Sequence, residues 1–380
     1  MSGINTILAA FLPATAGLSA VLTGLAIPAA RRLRLLAHPV ERSSHAVPTP
    51  QVGGVGICLA LLSALVFLPK ILPQHALAPG TPAGNLRLAI VGIAALGLVI
   101  GLLDDIKTLG ALPKLAALIL LSVVPVWFGI SFSSADLPFA GRLGFGPWLG
   151  GALAVCWMVF FINAFNFMDG ANGQSGVFAL NALVWSTLVG IAGAGIRVEA
   201  TADAGAWVWI VGAVAAAVLG FLPWNFPRAA IFMGDSGSLP VGGILAALTL
   251  FVAGGGFSSF VGLTLALSMY IYDVLYTLAR RARRGENLLR AHRSHLYQRL
   301  LISTGWSHAR LLAFHLPFYA LTGAASVVYH MAGGRPARLL AVAGVAVLLV
   351  IYTLIVLRAE RVGEERARQS AGTGIETTPM

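Results

Sequence analysis

The chain has 380 residues, 58% of them hydrophobic and only 10% charged, with a formal net charge of +11. Soluble domains carry about 25% charged residues, so this composition excludes an ordinary water-soluble enzyme. Apolar runs of about 20 residues, each long enough to cross a ~30 Å hydrocarbon core, recur from end to end. The predicted spans, in chain order, are about 5–29, 53–69, 86–103, 113–130, 148–165, 173–194, 205–223, 237–254, 257–278, 311–330 and 338–357. They describe an all-α polytopic membrane protein of about eleven transmembrane helices, packed as one domain over residues 1–357. A polar tail, 358–380, follows and is expected to be partly disordered.

The first run has no charge before Arg31, unlike the basic start of a cleaved signal peptide, and reads as a retained span. Cys58 and Cys156 both lie inside apolar runs and are expected to be inert core thiols. Of the 25 Lys and Arg, nineteen fall in one set of alternate loops and the C-terminal tail. The positive-inside rule places that set in the cytoplasm of a bacterial inner membrane, with the N-terminus periplasmic and the C-terminus cytoplasmic. Loops facing anionic lipid account for the net charge. The bilayer is thus a partner, and the sequence holds no nucleic-acid module.

Five of the seven Asp, namely Asp104, Asp105, Asp169, Asp235 and Asp273, fall on or near the same predicted side. Acidic residues at span ends are costly and point to function, although each alone could serve as a helix cap. Asp104 and Asp105 end the run "LVIGLLDD". Two charges about 6 Å apart repel by roughly 3 kcal/mol at an effective dielectric of ~20. A metal ion, a cationic side chain or protonation must offset that, and Lys107 and Lys114 are near in sequence. Oxygen ligands at a membrane surface suit Mg²⁺, with Mn²⁺ as a substitute.

In "NAFNFMDGANGQSG" (163–176), Asn163, Asn166 and Asp169 are spaced by three, which on a helix keeps them near one face. In "PWNFPRAAIFMGDSGSLPVGG" (223–243), Pro223 and Pro227 are expected to break the preceding span. The Gly-Asp-Ser-Gly-Ser turn then opens another apolar run, a place where free N–H groups and the helix dipole favour phosphate and where Asp235 can hold a metal. In "RRARRGENLLRAHRSHLYQRLL" (280–301), Leu288, Leu289, His292, Leu296 and Leu300 mark one face of an interfacial helix. His292 and His295, beside Arg293 and Arg299, are expected to contact phosphate or diphosphate rather than a metal.

Taken together, "ERSSHAVPTPQVGG" (41–54), "LLDDIKTLGALPKL" (102–115), "NAFNFMDGANG" (163–173), "NFPRAAIFMGDSGS" (225–238) and "HRSHLYQRL" (292–300) resemble the polyprenyl-phosphate N-acetylhexosamine-1-phosphate transferases, relatives of phospho-N-acetylmuramoyl-pentapeptide transferase. The resemblance covers about residues 5–357, and its wording is most similar to the branch that starts O-antigen and other surface polysaccharides. It implies transfer of a sugar 1-phosphate from a UDP-N-acetylhexosamine to undecaprenyl phosphate, giving undecaprenyl-diphospho-sugar and UMP with Mg²⁺. It further implies catalytic roles for Asp104, Asp105 and Asp169, metal ligation by Asp235 and Asn166, and substrate contacts from Arg42, His45, Lys114, Asn163, Asn172, Asn225, His292, Arg293 and His295. A homodimer is left open.

Two departures stand out. Asn172 replaces the Asp of the family's DGxDG pattern, and Gln51 and Val52 stand where the polysaccharide branch often has Arg. The His-rich run of the muramoyl-pentapeptide enzymes is absent, which disfavours that substrate. A cation transporter, needing carboxylates near the midplane, and a non-catalytic lipid-binding homologue are the alternatives from other classes.

Overall fold

The computed structural model describes residues 2–37, 47–137, 141–192, 205–288, 290, 292–332 and 334–372. Arg42 and His45 lie outside the described residues. The helices are α1 (Ser2–Arg32), α2 (Gly54–Phe67), α3 (Pro82–Lys107), α4 (Ala111–Trp127), α5 (Pro147–Phe167), α6 (Gln174–Ile191), α7 (Ala206–Asn225), α8 (Asp235–Val252), α9 (Phe257–Thr264), α10 (Ser268–Arg283), α11 (Leu296–Thr304), α12 (His308–Met331) and α13 (Arg335–Gly372). Among the described residues, nine helical stretches are long and apolar enough to cross a membrane, and two shorter ones, Gly54–Lys70 and Ala111–Trp127, are apolar too. These stretches coincide with the apolar runs read from the sequence, and the protein is an all-α polytopic membrane protein.

Two small antiparallel strand pairs interrupt the helices: β1 (Leu36–Ala37) with β2 (Thr49–Pro50), and β3 (Ser134–Leu137) with β4 (Gly141–Gly144). From β2 the backbone runs alongside 232–233. Phe232 N–H donates to the Pro50 carbonyl, Gly53 N–H to Phe232 and Gly54 N–H to Met233. That ladder fixes the "PTPQVGG" segment against the start of α8.

Helix α8 is the axis of the bundle. Nearly all of its residues are buried, and it packs chiefly on α3 and α5, with α6 and α2 completing the sheath. Small residues make this possible, because within a bilayer close backbone approach replaces the hydrophobic drive between helices. A Cβ on Gly101 of α3 would lie 2.1 Å from the Asp235 carbonyl oxygen, and one on Gly54 of α2 would lie 2.0 Å from Gly237 N. Neither contact tolerates a side chain, so α2 and α3 reach the first turn of α8 only through glycine. One turn beyond Gly101 come Asp104 and Asp105.

Several expectations are corrected by the fold. Pro223 lies inside α7, which continues to Asn225; the Phe226 N–H bonds the Leu222 carbonyl, and Pro227 follows the helix end. The 280–301 stretch is not one helix: α10 ends at Arg283, Gly285 takes φ +67°, and α11 begins only at Leu296. The segment expected as a tail from 358 is helical to Gly372, and Glu360 on it pairs with Arg299 of α11. Cys58 is buried as expected, whereas Cys156 is exposed on the outer face of α5.

Candidate active site

The C-terminal ends of α3, α5 and α7 and the N-terminal ends of α4 and α8 bring their polar residues together at one end of the bundle. The two adjacent aspartates solve their repulsion by facing different partners. Asp104, 8% exposed, sets Oδ2 2.7 Å from Lys114 Nζ and accepts the Leu109 N–H at Oδ1, 2.6 Å. Asp105 turns to α8, whose first two N–H groups donate to it: Asp235 to Oδ1 at 2.9 Å and Ser236 to Oδ2 at 3.0 Å. A cation balances one carboxylate and a helix dipole the other. The next two N–H groups of α8, from Gly237 and Ser238, bond the Gly234 carbonyl. The helix start expected to receive phosphate is therefore already filled by protein.

Asp235 is the hub. Its Oδ2 lies 2.5 Å from Lys114 Nζ, and its Oδ1 accepts from Asn166 Nδ2 at 2.6 Å. Asn166 Nδ2 also donates to Ser238 Oγ, 2.8 Å, which leaves Asn166 Oδ1 facing Lys114 Nζ at 3.5 Å. Three oxygens from α3, α5 and α8 thus converge on one positive charge. Such an all-oxygen donor set fits a hard divalent cation as well as an ammonium. Among the described residues no cluster of three His, Cys, Asp or Glu side chains is placed to hold a metal, so any ion here would draw on the amide and on substrate oxygens to complete its shell.

Beside this hub opens a cleft of about 340 Å³, lined in part by Asp105, Asn166, Asp169, Asn172, Asn225, Asp235 and Arg293. Asp169 lies just past the end of α5 rather than on it, because the helix stops at Phe167. Burial pushes its carboxyl up to about 7; the Ser175 hydroxyl pulls the other way, and the Asp235 charge adds to the rise. Asn172 sends its backbone N–H to His308 Nδ1 (3.1 Å) and its Nδ2 to the Pro227 carbonyl (3.2 Å).

Other expected contacts have different work. Asn163 donates back to the Val159 carbonyl of its own helix, 2.8 Å, and does not line the cleft. Asn225 is buried and spends both ends of its carboxamide on backbone, accepting from Gly173 N–H and donating to the Ile231 carbonyl. His295 is buried, with Nδ1 3.0 Å from Asp273 Oδ1. Asp273, 1% exposed, also accepts the N–H groups of Leu296 (2.9 Å) and Tyr297 (3.1 Å). The pair starts α11 rather than facing the cleft. His292 bonds Ser294, and burial, then the neighbouring His295 and Arg281 charges, push it down to about 4, so it is neutral at physiological pH.

The cleft also contains Gln51 and Gln298, whose carboxamides carry no charge. Gln51 Nε2 donates to the Asp105 carbonyl, 3.0 Å. Both glutamines stand inside the quoted motifs, "PTPQVGG" and "HRSHLYQ", and Gln51 is marked as well by standing where the polysaccharide branch often has Arg.

The residues that build this bundle and cleft match a known class of membrane transferase in sequence. The model of glycosyl transferase family 4 matches residues 87–253. The chain is 32% identical over 326 residues to the decaprenyl-phosphate N-acetylglucosaminephosphotransferase of Mycobacterium leprae strain TN, covering 81% of this chain and 80% of that one. It is 27% identical over 273 residues to the probable undecaprenyl-phosphate N-acetylglucosaminyl 1-phosphate transferase of Bacillus subtilis strain 168, covering 71% and 70%. It is also 30% identical over 321 residues to the phospho-N-acetylmuramoyl-pentapeptide-transferase of Desulforudis audaxviator, covering 77% and 89%. The chain belongs to the polyprenyl-phosphate N-acetylhexosamine-1-phosphate transferase family.

Proposed function

We propose that the chain transfers N-acetylglucosamine 1-phosphate from UDP-N-acetylglucosamine to undecaprenyl phosphate at the cytoplasmic face of a bacterial inner membrane. An oxygen of the lipid phosphate bonds the sugar-bearing phosphorus; the bond from that phosphorus to the bridging oxygen breaks; UMP leaves. The product is an undecaprenyl-diphospho-sugar, the first membrane intermediate of a surface polysaccharide such as an O-antigen. The observation that carries this reading is the convergence of Asp104, Asn166 and Asp235 on one cation beside the polar cleft at one end of the bundle.

Asp235 and Asn166, with Asp104, would hold Mg²⁺, or Mn²⁺ in its place. That ion supplies charge neutralisation on the diphosphate and on the departing UMP. Arg293 on the cleft wall gives a fixed charge for phosphate. Asp169, with a carboxyl near 7, matches a phosphate whose second ionisation lies near 6, so it can share or receive the lipid phosphate's proton while orienting it. Asp105 holds the α8 start, and with it Asp235, in place. N-acetylglucosamine is preferred over 6-deoxy sugars such as FucNAc or QuiNAc because the names of the relatives from Mycobacterium leprae and Bacillus subtilis specify it.

The test is UMP release by purified protein in detergent with undecaprenyl phosphate, Mg²⁺ and a panel of UDP-N-acetyl sugars. The expected result is metal-dependent UMP from UDP-N-acetylglucosamine, abolished in Asp235→Ala. UMP from a different donor alone would reassign the sugar. No UMP from any donor, with folded protein and a working control enzyme, would overturn the transferase reading.

A further inference from the structure

The focus of oxygens in the site is occupied by a side chain. Lys114 Nζ lies 2.5 Å from Asp235 Oδ2, 2.7 Å from Asp104 Oδ2 and 3.5 Å from Asn166 Oδ1. The amide orientation is set by its other end, since Nδ2 is held by Asp235 Oδ1 and Ser238 Oγ, and the carbonyl is thereby aimed at the ammonium. Mg²⁺ binds oxygens at about 2.1 Å. A divalent ion on these same oxygens would sit in contact with Nζ where it now lies, two cations sharing one set of ligands. One must leave.

We propose that Lys114 is a built-in counter-ion that competes with the divalent cation for its own site, and that the diphosphate of the donor admits the metal by drawing the ammonium away. This rests on the transferase reading given above. In the free protein Lys114 neutralises Asp104 and Asp235, which otherwise face each other as bare carboxylates. Its four-carbon stem is flexible, and an ammonium serves phosphate as a mobile point charge. An incoming diphosphate offers Lys114 new anionic oxygens while bringing ligands for the metal. Metal and nucleotide therefore bind with positive coupling, and by reciprocity each tightens the other. Replacing the lysine should strengthen metal binding by the free protein even as it harms turnover.

Mn²⁺ binding to the full-length protein, followed by electron paramagnetic resonance without substrates and then with UDP, tests this. Lys114→Met is expected to bind Mn²⁺ about tenfold more tightly than wild type when UDP is absent, an ordinary size for coupling between two ligands. UDP should tighten Mn²⁺ binding in wild type and do so far less in the variant. Asp235→Asn should lose the gain. A second measurement needs no variant: acylation of Lys114, read by mass spectrometry, should speed up at saturating Mn²⁺ alone and slow again when UDP is added. Equal or weaker Mn²⁺ binding by a folded Lys114→Met protein, or a Lys114 reactivity blind to Mn²⁺, overturns the proposal. No Mn²⁺ bound by either protein, with or without UDP, overturns the metal reading and the proposal together. In that case UMP release that survives EDTA would leave the transferase reading standing.

Discussion

Removing the Asp105 carboxylate leaves the N–H groups of Asp235 and Ser236 without acceptors at a partly buried helix start. Each orphaned group costs about 1–3 kcal/mol, so Asp105→Ala should lower the unfolding temperature in detergent measurably more than Asp104→Ala, and should lose turnover as α8 shifts. Asp169 yields a signed pH effect. Its carboxyl ionises near 3.8 in an unfolded chain and near 7 in the fold, so between those values the native state holds a proton that the unfolded state has lost. Stability then falls as pH rises through that window and levels above it. Asp169→Asn should flatten that slope, seen as the difference between the two proteins' unfolding temperatures from pH 4 to 8. At this scale the sequence marks the acidic pair clearly, because two adjacent carboxylates ending an apolar run demand partners. It hides which partners, since Asp105 reaches a helix start 130 residues away. The regular spacing of Asn163, Asn166 and Asp169 misleads only in part: Asn166 and Asp169 both line the cleft although α5 ends between them at Phe167, whereas Asn163, a turn further back on the helix, bonds the Val159 carbonyl.

Helix α11 forms one wall of the cleft through Gln298 and Leu301, with Arg293 just before it. It is fastened twice. Asp273 of α10 accepts its first N–H groups and His295, and Arg299 makes a two-pronged pair with Glu360 of α13. Glu360→Gln should loosen this wall without unfolding the bundle. The expected signs are faster amide hydrogen exchange confined to α11 and a KM for the UDP-sugar raised several-fold with kcat less affected. An unchanged exchange pattern would mean the pair is ornamental. The apolar face of 280–301 is visible in the sequence, but its interruption is not, because nothing local reveals that a buried Asp on the previous helix caps a new start at Leu296. The polar composition after 357 suggests a tail for a similar reason: Glu360 is ordered by a partner 61 residues away, not by its neighbours.

Across the whole molecule, the all-α polytopic class is legible because a bilayer imposes its thickness on any chain that crosses it. Which span lies at the centre is not, since α8 shows no polar stripe to orient it. Its glycines and those opposite carry that information. Gly101→Val should separate α3 from α8 and abolish both the folded yield and UMP release, whereas Gly344→Ala, with nothing within 4 Å of its added Cβ, should leave yield and activity intact. The placement of α8 also sets an order of assembly. Its sheath of α2, α3, α5 and α6 precedes it in the chain, so these helices leave the ribosome first and α8 meets them on arrival. Asp235 should thus find Asp105 and Lys114 while α11 is still unmade, and the anionic half of the centre should exist in the nascent chain before the cleft's α11 wall. Chains arrested before residue 296 emerges should already protect α3 and α8 from limited proteolysis, since these two helices pack on each other directly; protection that appears only in the finished protein would show that the centre closes only when synthesis is complete.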